Sequence, residues 1–264
     1  MKLIRMRNPF VVKAGAHVPP LKAVFNYLLV CLVVVVVFWL SFSAIDVTFD
    51  FGFIGRYRTR IIDGFLLTVG ISFASLVVSL VLGIIVAMGR GARILPLRYV
   101  CDLYVRIIRG TPLIMQIYLF FYIIGTAWGI ENRFFAGIMI LSLFEGAYVA
   151  EIIRGSLLSL EETQLEAARA VGFTRAQIAR FVIVPQLVAR TLPALTGQFA
   201  SIIKDSSLLS LIAVIEITQT LREISASNFR LFEACLLMGV LYLCLTLPIM
   251  IVSSQFEKRL DYES

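Results

Sequence analysis

Residues 64–89 read GFLLTVGISFASLVVSLVLGIIVAMG, an uncharged run bounded by Asp63 and Arg90. At about 1.5 Å per residue a helix of this length reaches ~39 Å, more than the ~30 Å hydrocarbon core of a bilayer. The run therefore predicts a membrane-crossing helix. Within it Ser75, Ser79, Gly83 and Ala87 recur every four residues, which places small side chains on one narrow face. In lipid, helices associate through close backbone approach, so this stripe predicts helix packing.

Working outward, further apolar runs occupy 24–45, 99–124, 134–154, 191–214 and 232–253. The fold class expected is all-α, a polytopic transmembrane helical bundle of about six spans. Composition agrees: of 264 residues 59% are hydrophobic and 16% charged, against roughly 25% charged in soluble domains. A mean hydropathy of +0.92 excludes disordered, collagen-like and disulfide-scaffold classes, and the spans leave no length for a soluble catalytic domain. Cys31, Cys101, Cys235 and Cys244 lie in or beside apolar runs without metal-ligand spacing, and read as small buried hydrophobes. His17 is the sole histidine, which argues against a histidine metal site or a Ser/His/Asp triad. No catalytic or metal-binding residue is expected.

The net charge of +7 speaks to topology rather than to nucleic acid. Lys2, Arg5, Arg7, Lys13 and Lys22 precede the first run, which is longer than a signal-peptide core and is followed by no cleavage pattern. It is expected to be a retained helix with a cytoplasmic N-terminus. Arg90, Arg93 and Arg98, and then Arg154, Arg169, Arg175, Arg180 and Arg190, fall on the same side. Segments 46–63, 125–133 and 213–231 then face outward. The first span offers only bulky residues between Tyr27 and Trp39, so residues 1–60 read as a basic N-terminus, an extra peripheral helix and an outward loop. Residues 61–264 read as the transmembrane domain proper.

The longest polar interval, 161–185, is organised. It reads as two short helices, the first over 162–171 with Leu165, Ala168 and Val171 on one side. Glu161 and Glu162 stand at its N-terminus, where the helix dipole favours them, and Gly172 stops it. Thr174 and Gln177 have capping-box spacing. Ile178, Phe181 and Val182 form the next apolar stripe, which Pro185 is expected to end. A loop this structured reads as a docking piece; an amphipathic pair on the bilayer and a nucleic-acid helix-turn-helix are the competing readings of the pattern.

Glu166-Ala167-Ala168, Gly172 four residues on, and Val182-x-Val184-Pro185 resemble the signature of ABC importer permeases, with valines where isoleucine and leucine are usual. Arg109-Gly110-Thr111-Pro112-Leu113, residues 147–155 (AYVAEIIRG), Lys204-Asp205-Ser206-Ser207-Leu208 and Phe232-Glu233-Ala234 resemble the polar amino acid uptake subfamily, the likeness covering about residues 60–260. The departures are an added first span, five being common, and Ser206 where threonine is usual. The resemblance implies a type I ABC importer permease, with Glu166, Ala167, Ala168 and Gly172 seated in a cleft of ATP-hydrolysing subunits. It further implies an extracytoplasmic solute-binding protein, a second permease copy or a sister permease, and the bacterial inner membrane. The expected cargo is a polar amino acid or a close relative such as an opine, moved by alternating access. ATP and magnesium belong on the partners, because Gly89-Arg90-Gly91 lacks the spacing and lysine of a phosphate loop. A passive channel and a membrane-embedded enzyme are the rival classes.

Ionisable groups inside the membrane mark pathways or paired charges. Arg109, Glu145, Lys204 and Asp205 are the substrate-path candidates, all placed near mid-depth by counting along their spans. Two readings stay open: Glu145 faces the path, or Glu145 pairs with Lys204 to fix packing. Glu151 and Arg154 similarly read as a packing ion pair.

Overall fold

The computed structural model describes residues 18–44 and 48–261, with side chains to residue 255. Lys2, Arg5, Arg7, Lys13, His17 and Asp46 lie outside the described residues. Contacts divide the chain into two units, Met1–Asp50 and Phe51–Ser264. In the first, α1 (Pro20–Ala44) is a single helix with no buried residue. Its Ser41 and Ser43 hydroxyls donate to the carbonyls of Val37 and Trp39, each at 2.8 Å, so both polar groups are satisfied within the helix.

The second unit begins with the short α2 (Phe53–Arg56) and the long α3 (Arg58–Arg90). It continues through α4 (Leu95–Gly110), α5 (Leu113–Tyr118) with a π-helical extension Leu119–Gly125, and α6 (Arg133–Leu158). Then follow α7 (Glu162–Ala170), α8 (Arg175–Ile178), a π-helical stretch Ala179–Ile183, α9 (Val184–Asp205) with a 3₁₀ extension Ser206–Ile212, α10 (Ile217–Asn228) and α11 (Leu231–Asp261). There is no strand among the described residues. Five helical stretches are long and apolar enough to cross a membrane, and α4 with the α5 stretch makes a sixth if the bent pair is one span.

That bend corrects the expectation of a straight span over 99–124. The two halves meet at 112°, at Gly110-Thr111-Pro112. Thr111 adopts an extended conformation, φ −124° and ψ 147°, because the ring of the following proline excludes it from the helical region. Pro185 gives the opposite correction: instead of ending the second cytoplasmic helix it lies inside a helix that runs from Arg175 to Ile212. In a regular helix its ring would press on the carbonyl four residues back. Here the turn before it is wide, with the Val184 N–H bonded to the Ala179 carbonyl five residues back, and the chain continues.

The principal seam is α3 against α6. Ser75, Ser79 and Gly83 are buried, and Ala87 is half-buried. A Cβ on Gly83 would stand 2.4 Å from Val149 Cγ1 and 3.2 Å from the Ala150 nitrogen, and one on Gly146 would stand 2.9 Å from Leu82 Cδ2. Glycines on both sides thus let the backbones meet. Around this seam Ile71, Ile117, Leu141, Ala147 and Leu209 form the core, each fully buried.

Segment 213–231, expected to face outward between two spans, contains α10. Ile217, Leu221 and Ile224 are buried on one face of it, a helical spacing masked by the polar residues between them. Glu216 caps its N-terminus: the carboxylate accepts from the Thr218 and Gln219 amides, both at 2.8 Å, and from the Tyr242 hydroxyl of α11 at 2.8 Å. Thr68 of α3 accepts from the Ile217 amide at 3.0 Å and donates to the Gly64 carbonyl at 2.9 Å. Burial pushes the Glu216 carboxyl above the usual range, against the opposing pull of the two amides and the tyrosine.

Two tests follow from the packing. Gly83→Leu should cost about 1–3 kcal/mol through overpacking, read as earlier thermal unfolding in detergent. Gly70→Leu, with no atom within 4 Å of its Cβ, should be tolerated. For Glu216, a carboxyl with its folded pKa raised favours the fold while protonated. That contribution is lost as pH rises from the ordinary glutamate range near 4.3 through the raised value, so thermal stability should decline across this interval in the wild type. Glu216→Gln should flatten the decline.

Candidate functional site

The segment between α6 and α9 is built by local rules. Helix α7 ends in a paired hydrogen-bond motif: the Phe173 N–H bonds to the Ala168 carbonyl at 3.1 Å and the Gly172 N–H to Arg169 at 3.0 Å. This closure requires a left-handed residue between them, and Gly172 supplies it with φ +87°. Nothing lies within 4 Å of the Cβ position on Gly172, so backbone conformation rather than space demands glycine there. The next turn starts at Thr174, whose side chain and that of Gln177 cap each other's amides. Glu166, Ala167 and Gly172 are exposed, whereas Ala168 is buried. The helix therefore keeps one small residue inward and leaves its acid and its stop exposed.

Two contacts join this piece to α9. Gln186 donates to Gln164 at 2.7 Å, and Arg190 donates to both the carbonyl and the hydroxyl of Ser159. These contacts tie the α7 segment to the base of α9. Neither contact was visible from the sequence, since polar side chains in a solvated segment carry no mark of their partners. The capping-box spacing was the available local signal.

The far end of α9 reaches the buried charges. Glu145 of α6 is fully buried; its Oε2 accepts from Gln198 of α9, and its Oε1 has no partner. Asp205 closes α9 and faces Glu145 across the seam. Lys204 is exposed and lines a separate cavity of about 290 Å³ with Gly197, Ala200, Met250, Ser253 and Ser254. Glu145 therefore has Gln198 and Asp205 as its neighbours, and the expected alternative of an ion pair with Lys204 does not form. Gln198, an amide beside charged positions, was missed by a search for ionisable residues.

Arg109 belongs to another group. Its guanidinium is 3.6 Å from Glu151 and lies 5.2 Å from the centre of the Tyr148 ring. Glu151 also binds Arg90 at 2.7 Å and pairs with Arg154, and Arg90 bridges to Asp102 at 2.6 Å. The expected Glu151–Arg154 pair is thus part of a network across α3, α4 and α6. At about 1.5 Å per residue, Glu151 stands ~9 Å along α6 from Glu145, so the structure brings Glu145 and Asp205 together and leaves Arg109 apart from them.

Comparison with known proteins places this arrangement. A family model described as the inner membrane component of binding-protein-dependent transport systems matches residues 79–262. The probable glutamine ABC transporter permease protein GlnM of Bacillus subtilis is 34% identical over 199 residues, covering 75% of this chain and 92% of that protein. The glutamine transport system permease protein GlnP of Escherichia coli is 33% identical over 214 residues, covering 80% and 98%. Among solved structures, an amino acid ABC transporter with histidines superposes with a TM-score of 0.75 at 33% identity, covering 81% of this chain and all of that one. The MetNI methionine ABC transporter, inward facing, gives a TM-score of 0.64 over 77% of this chain and 97% of that one; at 19% identity this likeness concerns the fold. On the extent of the family match and of the shared fold, the chain belongs to the inner-membrane components of binding-protein-dependent transport systems, the permeases of ABC importers.

Proposed function

We propose that the protein is the permease of an ATP-driven importer for polar amino acids, with opines as close relatives of the expected cargo. The observation that carries this reading is the exposed α7 with its glycine stop, joined through Gln164–Gln186 and Ser159–Arg190 to the helix that reaches Gln198 and Asp205. The names of the similar permeases, for glutamine and L-cystine, support the substrate class. ATP hydrolysis falls to two partner subunits whose clefts hold Glu166, Ala167, Ala168 and Gly172. An extracytoplasmic solute-binding protein delivers the cargo, and a second permease copy or a sister permease completes the pathway. The basic N-terminus is cytoplasmic, the membrane is the bacterial inner membrane, and α1 is a peripheral addition outside the pathway.

In this reading closure of the ATP-bound partners displaces α7, and α9 turns against α6, altering access to Glu145 and Asp205. A carboxyl pair at that point suits the ammonium or the cationic side chain of an amino acid, with Gln198 holding Glu145 in place. Arg109 and Lys204 are candidates for meeting the substrate carboxylate as access changes.

Replacing Gly172 with leucine forces an L-residue into the left-handed region, which costs roughly 1–2 kcal/mol, and breaks the α7 closure. Uptake by Gly172→Leu should fall close to background at normal membrane abundance, with ATPase activity no longer stimulated by loaded binding protein. Full uptake by this variant would refute the coupling role.

Glu145→Gln preserves size and can still hydrogen-bond Gln198, so complex yield should match the wild type. Removing a charge-assisted contact of ~1.5 kcal/mol or more should weaken competition by arginine against glutamine about ten-fold in reconstituted vesicles. An unchanged competition profile at normal yield would exclude Glu145 from substrate recognition.

A further inference from the structure

At the end of the bundle that carries α7, a cavity of about 400 Å³ lies between α3, α4 and α6. Arg90, Arg98, Arg106 and Arg154 line it together with one acid, Asp102. A neighbouring cavity of about 350 Å³ shares Asp102 and Arg106 and is completed by Tyr99 and Leu103. The arginines come from a regular pattern: Arg98, Asp102 and Arg106 follow at four-residue intervals along α4, whereas Cys101, Val105 and Ile108 are buried on its other side.

The local charges do not balance. Asp102 is taken by Arg90 at 2.6 Å, and Glu151 by Arg90, Arg154 and Arg109. Two carboxylates thus serve three guanidinium groups. Arg98 and Arg106 line the same space and form no ion pair among the described residues. A concave site with unneutralised guanidinium groups is suited to phosphate, whose oxygens match the planar donor fork. The rest of the wall is apolar, from Ala87, Leu157 and Leu158, so the site can accept an anion attached to a glycerol or acyl group.

We propose that this cavity is a phosphate site, which Arg98 and Arg106 define and Arg90 and Arg154 hold in shape. The same chemistry is presented by an anionic phospholipid headgroup and by free phosphate. Its position at a bundle end, with exposed Tyr99 and Leu103 beside it, favours the lipid, because basic groups flanking membrane spans draw anionic headgroups. The proposal does not depend on the substrate or on the coupling role of α7.

The full chain, purified in detergent, can be tested by native mass spectrometry with dioleoyl phosphatidylglycerol, with dioleoyl phosphatidylcholine and with inorganic phosphate. Retention of phosphatidylglycerol over phosphatidylcholine identifies a lipid headgroup; retention of inorganic phosphate with equal retention of the two lipids identifies free phosphate. Each supports the site if Arg98→Gln with Arg106→Gln weakens the preferred ligand. About 1 kcal/mol per basic residue near the membrane surface corresponds to about five-fold each, or about twenty-five-fold for the pair. Arg98→Lys with Arg106→Lys should recover most of the binding, and Arg58→Gln, at the opposite end of α3, should leave it unchanged. Size-exclusion profiles equal to wild type show that each variant is folded, and the lysine pair tests the site should the glutamine pair fail to fold. No preference among the three probes, an undiminished preference in the folded glutamine pair, or a lysine pair no better than a folded glutamine pair would overturn the proposal.

Discussion

The closeness of α3 to α6 is the constraint on which the rest of the membrane domain depends. A bilayer offers no hydrophobic drive for two apolar helices to associate, so the seam must be made by dispersion contacts at short range. Gly83 against Val149 and Gly146 against Leu82 allow that range. The same approach fixes where α6 places its acids. Glu145 is held toward α9, and Glu151 toward α3 and α4, where Arg90 and Arg109 reach it. A bulkier seam would separate these charges from their partners, and a buried charge without a partner is far costlier than a paired one.

The two prolines at helix joints act differently because their surroundings differ. At Thr111-Pro112 no following residue restores the direction of the helix, and the chain turns through 112°. Gln116 then donates to the carbonyl of Ile108 at 2.8 Å and to the Thr111 hydroxyl at 2.8 Å, satisfying a backbone acceptor that the break released. At Pro185 the wide turn absorbs the ring, and the helix continues through α9.

The fold was legible where composition and spacing are themselves the physical cause. Predominantly apolar runs of membrane length mark the spans, because the bilayer imposes the length. The Gly172 stop and the Thr174–Gln177 box were legible because capping is decided within four residues. What could not be read was long-range. Arg90 with Asp102, Gln186 with Gln164 and Glu216 with Tyr242 each join residues whose partners are set by tertiary packing. Helix α10 was hidden because Ile217, Leu221 and Ile224 are separated by Thr218, Gln219, Thr220, Arg222 and Glu223, a polarity that mimics a loop. Arg109 meets Glu151 rather than Glu145, a choice of partner that counting along the spans does not reveal.

The distribution of polar groups separates two kinds of burial. Glu216 is closed: both oxygens accept from amides or a hydroxyl, and Thr68 joins the same cap to α3. Such a site anchors, since any movement of α10 breaks several bonds at once. Glu145 differs: one oxygen is held by Gln198, and the carboxyl lies against Asp205. Two carboxyls so placed can share one proton, and the pair then joins α6 to α9. The two buried glutamates thus differ in what they join: Glu216 ties α10 to α3 and α11, whereas Glu145 ties α6 to α9 through Gln198 and Asp205.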